Sequence, residues 1–179
     1  KSSAKSQEFY VLGSQRLVEL RDAIDCTVDH LERSNEANAG YEGHSQSQGQ
    51  SQGARVKFFK SASFLIENVF YNDRRDSSNA DYGKPVAAWA EKLRRRLHIK
   101  DSPSEGSSNS MLGPYRSEDM SKTKFSDLNI RLGVSYAYLH QADCEHRFVF
   151  SEIHLVSKGD DTNRLHYPLV AFKVKSNCK

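Results

Sequence analysis

At 179 residues the chain has room for one domain of ordinary size and too little for several. Its mean hydropathy of -0.72 is low, yet Ser, Gln, Gly and Asn are crowded into two segments and the remainder reads as foldable. A net charge of +3 from 26 basic and 23 acidic residues leaves any case for a polyanionic partner to local clusters.

Several classes are excluded or disfavoured at once. No run approaches the roughly 18 apolar residues of a membrane span, and the opening KSSAKSQEFY lacks the apolar centre of a signal peptide. Three cysteines, Cys26, Cys144 and Cys178, form no disulfide framework and suit a reducing compartment. With no Met at its start and a stop just after Cys178, the sequence reads as a fragment cut at both ends.

In chain order, EFYVL suits a strand, Gly13 a turn and Ser14 an N-cap. Leu17, Leu20, Ile24, Val28 and Leu31 then keep helical spacing, which predicts one continuous helix with Cys26 off its buried stripe and without chemistry. The tract at 40–53, GYEGHSQSQGQSQG, reads as a disordered insertion. Val56 to Phe59 and Phe64 to Tyr71 read as strands, the second broken by a turn or bulge at Glu67 and Asn68. A second helix starts near Pro85, with Val86, Trp89, Leu93 and Leu97 on one face and Arg94, Arg95 and Arg96 towards its end. Residues 101–119 read as a second flexible segment, followed by a helical turn through Phe125, Leu128 and Leu132 that Gly133 closes. YAYLH and EHRFVF then read as paired strands, SEIHLVS as a half-buried strand, and HYPLVAFKVK as the last. This order predicts an α+β fold, one domain over 1–175.

The densest chemistry lies in YLHQADCEHRFVF. If its flanks pair, His140 and Cys144 sit at a hairpin mouth with His146 on the same side, and two or three metal ligands converge. Zinc takes four, so a further ligand must come from elsewhere: Cys178 is the free thiol nearest in sequence, with His154 and His166 as further imidazoles. Two other readings stay open. The residues are polar decoration of a hairpin, or Cys144 is a nucleophile beside His and Asp143; no Gly-rich oxyanion loop lies nearby. For phosphate contact the clusters are Arg74 and Arg75 in YNDRRD, and Arg94, Arg95 and Arg96 in EKLRRRLHIK. Solvated surface, or docking to an acidic partner, is the plainer account of both.

FYVLGSQRLVELRDAIDC, FLIENVFYNDRRD, FSDLNIRLG and YLHQADCEHRFVFSEIHLV with the later YPLV, in this order, resemble the third subunit of the snRNA-activating protein complex. The resemblance implies a nuclear, non-enzymatic transcription subunit with no small-molecule substrate. Its complex would bind the proximal or upstream sequence element of small nuclear RNA promoters for RNA polymerases II and III. It would act with a Myb-repeat subunit and a smaller helical subunit. It further implies a ubiquitin-like core and Zn2+, held by His140, Cys144, His146 and Cys178 in a site left incomplete here, with 176–179 opening a Cys-rich region. Ala142 stands where the family pattern leads one to expect Gly, which disfavours a turn requiring positive φ. The rival from another class is a ubiquitin-like interaction scaffold that never touches DNA.

Overall fold

A computed structural model of the chain describes residues 7–29, 61–97 and 113–173. Its sheet is built around strand β2 (Ala62–Ile66), which pairs antiparallel with β3 (Val69–Asn72) on one side and with β5 (Ser135–His140) on the other. Strand β4 (Arg116–Asp119) runs parallel to β3 at one edge, and β6 (Cys144–Val149) closes the other edge against β5, giving the order β4-β3-β2-β5-β6. Strands β1 (Gln7–Tyr10) and β7 (Leu169–Lys173) form a separate antiparallel pair. The α+β class expected from the sequence is the class observed; its ubiquitin-like subdivision stays an implication of the resemblance.

The two faces of the sheet are set by strand alternation. Phe64, Ile66, Val69, Tyr71, Tyr136 and Tyr138 share a face with Leu17 and Leu20 of helix α1 (Leu17–Ala23) and with Met120. Phe70 points the other way and meets helix α2 (Gly83–Arg96) at Gly83, where a Cβ would lie 2.7 Å from the Phe70 side chain. The α2 start is held by Asp81, whose carboxylate accepts from the Gly83 and Lys84 amides and from Asn72 Nδ2.

Several sequence expectations are corrected. Helix α1 begins beyond Arg16, not at Ser14, and it ends at Ala23 because Ile24 is extended. Helical backbone resumes only at 27–29. Gln7 of β1 stabilises that break: its side-chain amide donates to the Asp25 carbonyl and accepts from the Asp25 amide, and Lys173 pairs with the Asp25 carboxylate. The segment read as flexible to Asp119 ends in β4, because its last residues complete the ladder beside β3. The predicted helical turn is reduced to a 3-10 turn over Phe125–Asp127; Leu132 is exposed, and Gly133, at φ +72, leads into β5 rather than capping a helix. Residues Ser151 to Ser157 are not a half-buried strand: no strand pairs with them among the described residues, and Ile153 and Leu155 are exposed. The β2–β3 turn falls at Glu67 and Asn68, as the sequence indicated. The predicted strand at Val56 to Phe59 and the tract at 40–53 lie outside the described residues.

Candidate metal centre

The β5–β6 ladder places three donors by simple alternation. Tyr136, Tyr138 and His140 alternate with outward residues on β5, and they lie opposite Phe148, His146 and Cys144 on β6. Phe64 packs against Tyr138 from the central strand in a tilted contact, Tyr138 stacks on His140, and His140 on His146. An aromatic stack that begins in the core therefore ends at the hairpin mouth in two imidazoles and a thiol.

The fourth donor is Cys26, a residue to which helical spacing gives no chemistry. The break after Ala23 turns it out of the helical path and buries it against β6, with its Sγ 3.8 Å from Cys144 Sγ. Cys144 Sγ lies 3.4 Å from His146 Nε2, and the two Nε2 atoms are 2.9 Å apart. The ligand atoms of all four residues lie within 4.8 Å of one another, so the group can hold a metal ion. Cys178, expected as the partner thiol, lies outside the described residues. The further imidazoles are drawn elsewhere: His154 lies beside Glu152 and Asp160, and His166 pairs with Asp161.

The fit to zinc follows from bond lengths. With Zn–S near 2.3 Å and Zn–N near 2.0 Å, a tetrahedron has edges of about 3.8 Å between sulfurs, about 3.5 Å between S and N, and about 3.3 Å between nitrogens. The observed 3.8, 3.4 and 2.9 Å follow that order, with the imidazoles a few tenths of an ångström too close. Two thiols and two imidazoles are also the donor set of a closed structural site, with no position left for substrate.

Behind the donors stands Asp29. Its Oδ1 lies 3.2 Å from His140 Nδ1 and accepts from Gln141 Nε2 at 2.8 Å. A proton on Nδ1 leaves the Nε2 lone pair directed into the cluster, as in carboxylate–histidine–metal arrangements. Burial lowers the pKa of both His140 and His146 and so favours their neutral, ligating form. Burial first, and then the Cys26 thiol, push Cys144 up to about 12. A raised thiol pKa is the opposite of what activates a cysteine nucleophile, and an ion bound between the two sulfurs would be what draws the proton off.

The turn itself departs from the expectation at Ala142. Gln141 and Ala142 both take left-handed conformations, φ 50 and 69, despite carrying side chains. The register His140 opposite Cys144 leaves three residues to reverse the chain. A hydrogen bond from the Ala142 amide to the Tyr82 hydroxyl, 3.0 Å, helps hold the strained residue.

The arginine clusters divide. Arg75 lies between two acids: its guanidinium donates to both Asp22 oxygens at 2.7 and 2.9 Å and to Asp73 at 2.8 and 3.0 Å. Asp73 has only 2% of its side chain exposed, so Arg75 compensates a buried carboxylate. Arg74 bonds Ser117 and Asp81. On α2, Arg95 pairs with Glu91, Arg94 is half-buried and Arg96 is exposed. No helix among the described residues is long and apolar enough to cross a membrane.

Comparison with known proteins matches residues 7–179 to the family model of the snRNA-activating protein complex (SNAPc), subunit 3. Curated proteins named snRNA-activating protein complex subunit 3 from Rattus norvegicus, Mus musculus and Bos taurus are each 34% identical over 167 residues, 93% of this chain. The match takes in 36%, 36% and 35% of those proteins, so the chain spans little more than a third of their length.

Proposed function

Because the chain belongs to the snRNA-activating protein complex subunit 3 family, we propose that it works as a non-enzymatic part of that nuclear complex, within the assembly that binds the proximal or upstream element of small nuclear RNA promoters. Its partners in this reading are promoter DNA, a Myb-repeat subunit and a small helical subunit, and its output is transcription by RNA polymerases II and III. The match over nearly the whole chain carries the reading. Zn2+ is the ion assigned to Cys26, His140, Cys144 and His146, and its chemistry is structural: a cross-link between the segment after α1 and the β5–β6 hairpin.

Direct phosphate contact falls to Arg94, Arg95 and Arg96, of which Arg95 already pairs with the exposed Glu91. Arg74 and Arg75 belonged to the same expectation, but their intramolecular partners leave them less to offer a phosphate. That engagement favours, as a second reading, a scaffold without DNA contact. One experiment separates the two: the complex, reconstituted with and without Arg94, Arg95 and Arg96 changed to Gln, is titrated with a promoter-element duplex across salt concentrations. Phosphate contact requires the slope of log K against log salt to flatten by about 0.9 for each phosphate that an arginine no longer neutralises. Identical slopes with intact assembly leave the scaffold reading standing.

A further inference from the structure

Helix α2 is packed in a way that a free-standing monomer does not need. Gly83, Ala87 and Ala90 recur at four- and three-residue spacing; Gly83 and Ala90 are buried, and Gly83 lies directly against Phe70. The large apolar residues Val86, Trp89, Leu93 and Leu97 follow the same spacing on a stripe about 90° round the helix. There Val86 and Leu93 are half-buried, while Trp89 is 57% and Leu97 54% exposed. The helix thus buries Gly83 and Ala90 while leaving Trp89 and Leu97 more than half exposed. A tight seat with no room for a Cβ at residue 83 stops it from rolling to cover them.

The stripe has a charged border. Lys92 and Arg96 flank Trp89 on the side away from the buried face, and both are exposed with no carboxylate partner among the described residues. Three- and four-residue spacing is the seam by which one helix packs on another, with charges beside the seam selecting the partner. Phosphate would satisfy the cations but would not desolvate Trp89 and Leu97, whereas an apolar helix face bordered by acids does both.

We propose that the Val86–Trp89–Leu93–Leu97 face of α2 is a docking surface for an amphipathic helix of another subunit, one whose apolar ridge is bordered by Asp or Glu. Lys92 and Arg96 set its orientation, and Trp89 is the anchor. Arg96 then leaves the set proposed for phosphate contact, and Arg94 and Arg95 remain for it.

Trp89 is the chain's single tryptophan, so 5-fluorotryptophan labelling gives one fluorine resonance that reports on this site alone. The labelled full chain is mixed with the Myb-repeat and small helical subunits, separately and together, and with a promoter-element duplex. The expected result is a shift of the resonance and loss of its solvent isotope effect with a protein subunit. Trp89→Glu should weaken that association by about 30-fold or more, and Lys92→Glu with Arg96→Glu by about tenfold, with recovery towards parent affinity in high salt. Both variants change exposed positions, and an unchanged melting temperature confirms that they fold. A complex that assembles while the resonance stays solvent-exposed overturns the proposal and leaves complex membership intact. So does a resonance moved by the duplex and by neither subunit. Failure of the parent chain to bind either subunit refutes membership as well.

Discussion

Replacing Cys26 by Ala is the most direct probe of the metal centre, since this residue distinguishes the observed cluster from one completed by Cys178. Structural zinc sites bind with about 10–16 kcal/mol of apparent free energy, or roughly 2.5–4 kcal/mol for each of four donors. At about 1.4 kcal/mol per decade, losing one thiolate should weaken zinc binding by about 100- to 1,000-fold. The 3.8 Å separation of Cys26 Sγ from Cys144 Sγ is the spacing of two thiolates on one ion, and no shift of the hairpin alone supplies a second sulfur. Competition against a chromophoric chelator measures the affinity. Cobalt substitution counts the sulfurs, because the thiolate-to-cobalt charge-transfer band should fall by half in Cys26→Ala and stay unchanged in Cys178→Ala. Parent affinity and an undiminished band in Cys26→Ala, with both lost in Cys178→Ala, would refute the reasoning.

Three other perturbations follow from the same geometry. Ala142→Gly removes the roughly 1–2 kcal/mol that a left-handed conformation costs a residue with a Cβ, less the added unfolded-state entropy of glycine; thermal unfolding should show a gain of about 0.5–1 kcal/mol. Arg75→Ala leaves the buried Asp73 carboxylate with Arg21, 3.4 Å away, as its cation, and should cost about 3 kcal/mol in denaturant unfolding. A DNA-binding defect in that variant is therefore to be read only after its stability is known. Glu67 accepts hydrogen bonds from Arg131, which chiefly lowers its pKa below the ordinary 4.5, and from the Tyr136 hydroxyl. The stability this gives is full above pH 4.5 and is lost as pH falls through the lowered folded-state value. Glu67→Gln should then be less stable by about 1 kcal/mol at pH 7, with the gap to the parent closing in acid; a gap independent of pH counts against the linkage.

Local signals in the sequence located what local physics decides. Alternation in YAYLH and EHRFVF, with a polar turn between them, was enough to bring His140, Cys144 and His146 to one side of a hairpin. Glu67 and Asn68 marked the other tight turn, and Pro85 marked the first turn of α2. The missing donor was hidden by a pattern that looked stronger than it was. Leu17, Leu20, Ile24 and Val28 keep helical spacing through a break held by Gln7, a residue of another strand, and no window around Cys26 contains that information. A thiol off the apolar stripe with an acid three residues on was the available clue, and Asp29 proves to be the residue behind His140. The seam on α2 was legible as a stripe. That it lies beside the buried face and not within it depends on how closely Gly83 approaches Phe70.

The placement of the four donors also orders events in time. His140, Cys144 and His146 fall within seven residues, on a hairpin of the kind that closes in microseconds, whereas Cys26 is 118 residues from Cys144. If the cluster takes zinc, the hairpin would offer three ligands before the remainder has organised, and the distant thiolate would arrive last, because a long loop must close first. Release of such an ion would run the same sequence backwards. With an ion held by all four donors, release through the segment after α1 would work against the hold of Gln7 and Lys173 on Asp25, the residue next to Cys26.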